Sequence, residues 1–346
     1  MWFIVILVIV LFFVCLGAAA YETLMERRVA AFLQDRFGPN RAGIWGIFQP
    51  LCDGGKLFFK EDFIPKNAEK WLFIIAPGIL MLIALSTGAV IPWGKSLSIG
   101  GASHPIQVAQ IDVGVLYIMG MVSIGVYGVM LGGWASNNKY SLLGAVRASS
   151  QMISYELAMG LTLLSVIMMS GTLDLRGMVE QQSGDFSVLG LFRINGMKWN
   201  VFYQPLAFIL FVTCSFAELN RAPFDLAECE SELIGGYHTE YGSMKYGTFL
   251  FAEYINMFIS SAVISTVFFG GYSFPYMNQL DWSENTIGIL SIIAFMVKII
   301  FCLFCFMWVR WTLPRFRYDQ LMHLGWKIMI PLAIFNLLIT SALIVF

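Results

Sequence analysis

A chain of 346 residues that is 58% apolar and 12% charged, with a mean hydropathy of +0.74, belongs to the membrane class rather than among soluble globular proteins. Its formal net charge of −1 argues against a nucleic-acid partner, which would require a basic stripe to neutralise phosphates, and no Gly-rich phosphate cradle is present. The six cysteines are scattered, the one close pair (Cys302 and Cys305) sits inside an apolar run, and His104, His238 and His323 are isolated in sequence, so no metal or redox centre is expected in this chain.

Met1 to Ala20 is an uncharged stretch with no Lys or Arg before it and its positive charges after it, the pattern of a retained first transmembrane helix rather than a cleaved signal. About 20 apolar residues cross a hydrocarbon core roughly 30 Å thick, since each helical residue rises roughly 1.5 Å. By that measure eight spans are predicted, near 2–21, 71–92, 113–134, 150–172, 199–217, 246–271, 287–309 and 328–346, and an even number puts both termini on one side. The fold class expected is all-α: a polytopic membrane protein with about eight transmembrane helices, one integral membrane domain over residues 1–346.

The first loop, residues 22–70, carries Arg27, Arg28, Arg36 and Arg41 around RFGPN, whose Gly-Pro-Asn marks a turn. Between Gly43 and Lys60, the residues Ile44, Ile47, Phe48, Leu51 and Phe58 fall near helical spacing while Gln49, Asp53 and Lys56 line another side, which predicts an interfacial amphipathic helix. A simple surface anchor is the plainer reading of the same pattern.

Three ionisable residues lie within predicted spans: Glu156, Glu253 and Lys298. Lys298 is closest to the middle of its span, where insertion scales put a charge at roughly +2.5 to +3.5 kcal/mol, so a carboxylate partner, with Glu253 a candidate, or a water-filled cavity is expected. A helix-packing ion pair is the bland alternative to a proton or ion path. Between the fifth and sixth spans, FAELNRAPFDLAECESELIGGYHTEYG (residues 216–242) gathers six carboxylates, Glu218, Asp225, Glu228, Glu230, Glu232 and Glu240, around one cation, Arg221. Pro223 interrupts the fifth span, Asp225 suits the cap of a new helix, and Glu228 and Glu232 then share a face, where like charges repel. The acids alternate with Leu226, Cys229, Leu233 and Ile234, so partial burial and coupled protonation are expected, against the plain alternative of an exposed acidic loop.

Lys and Arg number 8, 2, 2 and 4 in the odd loops (22–70, 135–149, 218–245, 310–327) and 1, 3 and 0 in the even ones. Cytoplasmic loops keep positive charge, so the odd loops and the acidic stretch are expected in the cytoplasm and both termini in the periplasm. No internal repeat is visible, which weakens a free-standing inverted-repeat transporter reading.

Five long segments resemble one family: ERRVAAFLQDRFGPNRAGIWGIFQPLCDGGKLFFKE, GGWASNNKYSLLGAVRASSQMISYE, AELNRAPFDLAECESELIGGYHTEY, FLFAEY and VRWTLPRFRYDQLMHLGWK. They are similar to the H subunit of bacterial NADH:quinone oxidoreductase, the homologue of mitochondrial subunit 1 of respiratory complex I. Leu219 departs from the Thr common in the family, Gly54–Gly55 occupies a variable spot, and the 172–198 loop is longer than in mitochondrial members, which favours a bacterial inner membrane. The resemblance implies an eight-helix protein that joins the peripheral arm to the membrane arm and builds the entrance for ubiquinone or menaquinone as substrate. NADH, FMN and the iron–sulfur clusters would belong to partner subunits. Those partners would include the peripheral-arm quinone-site subunits with the terminal cluster and neighbouring small membrane subunits, beside the lipid bilayer. By matching motif, Glu26, Arg27, Arg36, Asp53, Lys56, Arg221, Phe224 and Arg310 would line or shape the quinone passage. Glu156, Glu218, Asp225, Glu228, Glu230, Glu232 and Glu253 would form a carboxylate chain into the membrane, with Lys298 as a further member of the proton path. The membrane component of an energy-converting hydrogenase shares the fold without a quinone; the long RFGPN and FQPLCDGGKL loop speaks against it.

Overall fold

In hydrocarbon the backbone must satisfy its own hydrogen bonds, so uninterrupted apolar runs fold as helices. The computed structural model of the chain describes residues 2–99, 101–184, 186–188, 192–194, 196–225, 235–279 and 282–345. Seven helices among these are long and apolar enough to cross a membrane. They are α1 (Trp2–Leu33), α3 (Lys70–Thr87, extended by a 3-10 turn to Val90), α4 (Gly114–Ala135), α5 (Lys139–Ser170), α9 (Ser243–Phe268), α10 (Glu284–Thr312) and the run Tyr318–Val345. That last run comprises α11 (Tyr318–His323), a π-helical stretch Leu324–Met329 and α12 (Ile330–Val345). The interfacial helix is α2 (Gln49–Phe59). The remaining helices are α6 (Leu175–Gln182), α7 (Asn200–Tyr203) and α8 (Pro205–Glu218).

The eighth expected span differs in form. Pro205 lacks an N–H and opens α8 at its first position, so the 199–217 run divides into the short α7 and a 14-residue helix. Fourteen residues rise only about 21 Å, less than a hydrocarbon core. Three helical runs also outrun their predicted spans, the last beginning at Tyr318 rather than near 328. α1 continues past residue 21 through Glu22, Glu26, Arg27 and Arg28 to Leu33, and α5 starts at Lys139, where Asn138 Oδ1 accepts from Tyr140 N at 3.0 Å. Ala, Leu, Glu and Arg are strong helix formers, so the helix persists after the apolar run ends.

Among the described residues, strand is confined to two antiparallel ribbons, β1 (Gly94–Ile99) with β2 (Ala102–Ile106) and β3 (Phe186–Val188) with β4 (Phe192–Ile194). The first ribbon lies beside the N-terminus, where His104 stacks on Phe3 with ring centroids 5.0 Å apart. At the opposite end four loops converge. Lys245 Nζ reaches Asp62 at 2.9 Å, Phe316 N donates to Pro223 O at 3.0 Å, and Asn138 Nδ2 donates to Glu240 Oε1 at 2.7 Å. The core between the ends is apolar, with Tyr155, Phe268, Phe295, Ile255 and Ile299 buried.

Candidate functional site

The RFGPN turn is held where its residues dictate. Gly46 has a positive φ of 70°, and a Cβ there would stand 2.2 Å from Pro39 O, so only glycine lets the turn close against the segment leading into α2. Arg28 donates to Trp45 O and fastens the same segment to α1. α2 and the turn before it present Ile44, Trp45, Leu51 and Phe58 outward as an exposed apolar row, as the spacing requires of an interfacial element.

Between α1, α2 and α9 lies a cavity of about 440 Å³, within the range of small-molecule sites. Glu26, Arg27, Asp53 and Lys56 line it together with Phe251, Tyr254 and Trp311. Asp53 gathers two cations and an amide at the cavity wall: Arg27 Nη1 meets it at 2.6 Å, Gln49 Nε2 at 3.0 Å and Lys56 Nζ at 3.7 Å. Glu26 is buried at the cavity wall, where it accepts from Arg221 Nη1 at 2.9 Å and Tyr254 Oη at 2.8 Å and pairs with Arg310. Arg221, 5% exposed, also meets Glu253 at 2.6 Å and lies 4.3 Å from the centroid of the Tyr254 ring. Burial alone disfavours the Arg221 charge, but the Glu253 and Glu26 carboxylates outweigh it and hold its proton more firmly than usual. Four charged groups from α1, α9, α10 and the 219–225 turn, two of each sign, thus meet at one point.

Inward from Glu253 two small voids follow. One of about 40 Å³ is lined by Glu253, Glu218, Asn220 and Tyr237. The other, about 70 Å³, is lined by Glu218, Met119, Val122, Met152 and Met159, residues that flank the hydrogen bond from Ser123 to Glu156 within α4 and α5. Both are large enough for water.

The structure separates other expected members from this cluster. Arg36 is exposed, its Nε bonded to Gln34 Oε1 at 2.7 Å, away from the cavity wall. Phe224 is buried behind the wall, its ring 5.5 Å from Tyr155 and 5.4 Å from Phe316. Asp225 is a buried carboxylate paired with Arg315 at 2.7 Å, an anchor of the acidic loop to the segment before α11. Glu228, Glu230 and Glu232 lie outside the described residues. The expectation of a carboxylate partner for Lys298 is corrected. Its Nζ donates to the carbonyls of Phe269, Gly271 and Ser273 at 2.7, 2.8 and 2.5 Å and stands 4.9 Å from the Trp199 ring, while Glu253 belongs to Arg221. Glu253 and Phe269 are sixteen residues apart along α9, roughly 24 Å, so the two charges cannot meet.

Sequence reasoning missed Tyr254 and Glu22. Tyr254 follows Glu253 in FLFAEY and was hidden because a tyrosine in an apolar run reads as core. Glu22 stands one helical turn before Glu26, is 3% exposed, and neither carboxyl oxygen has a hydrogen-bond partner among the described residues. The i, i+4 spacing of two carboxylates on an otherwise apolar helix face was the available signal.

A family profile described as NADH dehydrogenase matches residues 5–341. The chain is 60% identical to NADH-quinone oxidoreductase H subunit 1 of Cytophaga hutchinsonii over 339 residues, covering 98% of this chain and 96% of that protein. It is 56% identical to the NADH-quinone oxidoreductase H subunit of Flavobacterium johnsoniae, covering 98% and 94%, and 48% identical to that of Leptospira biflexa, covering 96% and 92%. With its apolar helices and a match running through nearly the whole of each chain, the protein belongs to the H-subunit family of the proton-translocating NADH-quinone oxidoreductases and is a multi-pass membrane protein.

Proposed function

We propose that this chain forms the entrance and part of the binding cavity for the quinone substrate, and that it couples quinone reduction to proton movement through a carboxylate chain. The observation that carries the reading is the cavity of about 440 Å³ whose polar wall includes Glu26, itself bound to Arg221 and Arg310. An isoprenoid tail requires an apolar lane, which Leu57, Leu250, Phe251 and Trp311 supply, and a headgroup gaining negative charge requires nearby cations. The chain holds no electron carrier in this reading; flavin and iron–sulfur clusters belong to partner subunits, which deliver electrons at the mouth formed by loops 22–70, 218–245 and 310–327.

The protonic half of the reading follows the sequence of groups inward: Glu26, Arg221, Glu253, Glu218 and Glu156, with water in the two small voids between the later members. Charge arriving on the quinone perturbs Glu26 first. Arg221 is shared between Glu26 and Glu253, so a change at one carboxylate alters the ionisation of the other. Asp225 and, in sequence after it, Glu228, Glu230 and Glu232 add further carboxylates to the chain in this reading. Lys298 stands apart from this line and serves as a helix-end clamp.

The test separates entrance from electron supply. Asp53→Asn, which weakens the hold on Arg27 and Lys56, is expected to lower NADH:quinone turnover several-fold while leaving NADH oxidation by an artificial acceptor upstream of the quinone intact. Loss of both activities in a fully assembled complex, or unchanged quinone turnover, overturns the entrance reading.

A further inference from the structure

Gln151, in the middle of α5, is fully buried, and its side-chain amide makes two short hydrogen bonds to another part of the chain: Nε2 donates to Ala217 O at 2.6 Å and to Phe224 O at 2.7 Å. Those two carbonyls bracket the turn that carries Glu218 and Arg221. Ala217 is among the last residues of α8, where backbone carbonyls lose their intrahelical donors. Phe224 closes the turn from the other side, its N–H donating to Arg221 O at 2.8 Å. Asn220, just before Arg221, has a positive φ of 50°, a left-handed conformation that Asn adopts more readily than most residues, and it reverses the chain after α8. The amide has one orientation available. Turned over, its oxygen would face two carbonyl oxygens inside hydrogen-bond distance, whereas an NH₂ group has two hydrogens for two acceptors.

We propose that Gln151 is a positioning residue for quinone reduction: by clasping Ala217 and Phe224 it fixes the turn that aims Arg221 at Glu26 and Glu253 and sets Glu218 beside the void leading to Glu156. The inference rests on the quinone and coupling reading above. Gln151 touches neither cavity nor ion cluster, and it acts through the backbone of the turn alone. The turn's distal side has its own ties, from Phe316 N to Pro223 O at 3.0 Å and from Arg315 to Asp225 at 2.7 Å, whereas on the α8 side Ala217 O keeps the longer bond from Asn220 N at 3.4 Å, so loss of the amide loosens the α8 side and Arg221 shifts with it.

The experiment uses the assembled complex, with rates normalised to NADH oxidation by an upstream artificial acceptor. Gln151→Met keeps the side-chain length and removes both amide bonds, leaving Ala217 O only its longer bond from Asn220 N at 3.4 Å; the KM for a short-chain quinone is expected to rise roughly tenfold with a smaller fall in kcat, the size expected for loss of one buried carbonyl's donor. Gln151→Glu supplies a readout that a merely structural role would not move. Its neutral carboxyl offers one hydrogen to one carbonyl and its carboxylate none, so its activity relative to wild type should fall as pH rises. Should Gln151→Met fail to assemble, Gln151→Asn, one methylene too short to reach both carbonyls, is read for the same rise in KM. Wild-type KM in the Met or Asn variant, or a pH-independent ratio in the Glu variant, overturns the proposal. Arg221→Lys separates the two levels of inference. Slow Arg221→Lys beside a normal Gln151→Met removes the clasp alone, and normal kinetics in both remove the quinone reading beneath it.

Discussion

Arg221 shows how little of a buried site depends on numbers of charges and how much on their sharing. One guanidinium serves Glu26 and Glu253 and packs on Tyr254, so replacing it leaves two carboxylates without their common partner in low dielectric. Arg221→Met is therefore expected to destabilise the protein by about 3–5 kcal/mol and to abolish quinone turnover. The measurement is the midpoint of thermal loss of assembled complex, and a midpoint equal to wild type would refute the shared-partner account. His238, in the loop beside Tyr237 and Tyr246, makes a second residue-level prediction. Burial, opposed only in part by the Asp225 carboxylate, lowers it from 6.5 to about 4. The unfolded chain then takes up the proton first as pH falls. Stability from neutral His238 is complete above about 6.5 and is lost as pH drops through about 4. Between those values His238→Gln should flatten the pH dependence of thermal inactivation; an unchanged slope would count against a half-buried neutral imidazole.

Elements explain which parts of the site were legible in the sequence. Long apolar runs announced their helices, and the period of Ile44, Ile47, Phe48, Leu51 and Phe58 announced the interfacial segment, because burial in lipid or at its edge imposes composition and period directly. Helix ends were not legible to the same degree: α1 runs through ERR to Leu33, carrying Glu26 and Arg27 on a rigid rod rather than a loop, since charged helix formers end an apolar run without ending a helix. The partner of Lys298 was also hidden, because backbone carbonyls leave no trace in composition. Its three acceptors follow the end of α9, where Gln182 Nε2 also reaches Thr266 O at 3.0 Å and Asn200 Nδ2 reaches Val267 O at 2.8 Å. A helix ending inside an apolar core thus finds its donors in three side chains from three elements. Lys298→Met orphans three carbonyls at once and should lower thermal stability by several kcal/mol, each unmet group costing about 1–3 kcal/mol. Lys298→Arg, which retains donors, should recover part of that loss; equal destabilisation by both would remove the clamp.

Across the whole molecule, charge and geometry single out the same end for the proposed quinone chemistry. The loops richest in Lys and Arg, 22–70 and 310–327, meet the 218–245 loop at one end through Arg221–Glu26, Lys245–Asp62 and Arg315–Asp225, whereas the β1–β2 ribbon lies with the N-terminus at the other. In the proposed reading, cytoplasmic retention of positive charge would make the first end the side on which electrons arrive and would put the ribbon and both termini in the periplasm. This orientation is testable by cysteine labelling on a background in which the six native cysteines are replaced. Asn67 and Ala102 are both exposed and lie at opposite ends, Asn67 O accepting from Asn137 Nδ2 at 3.0 Å and Ala102 pairing with Ile99 in the ribbon. An impermeant maleimide added to intact spheroplasts should modify Ala102→Cys and spare Asn67→Cys, and inverted vesicles should reverse the pattern. Labelling of Asn67→Cys from outside would place the quinone mouth on the wrong side of the membrane for the peripheral arm, and with it the entrance and the carboxylate chain behind it would have to be abandoned together.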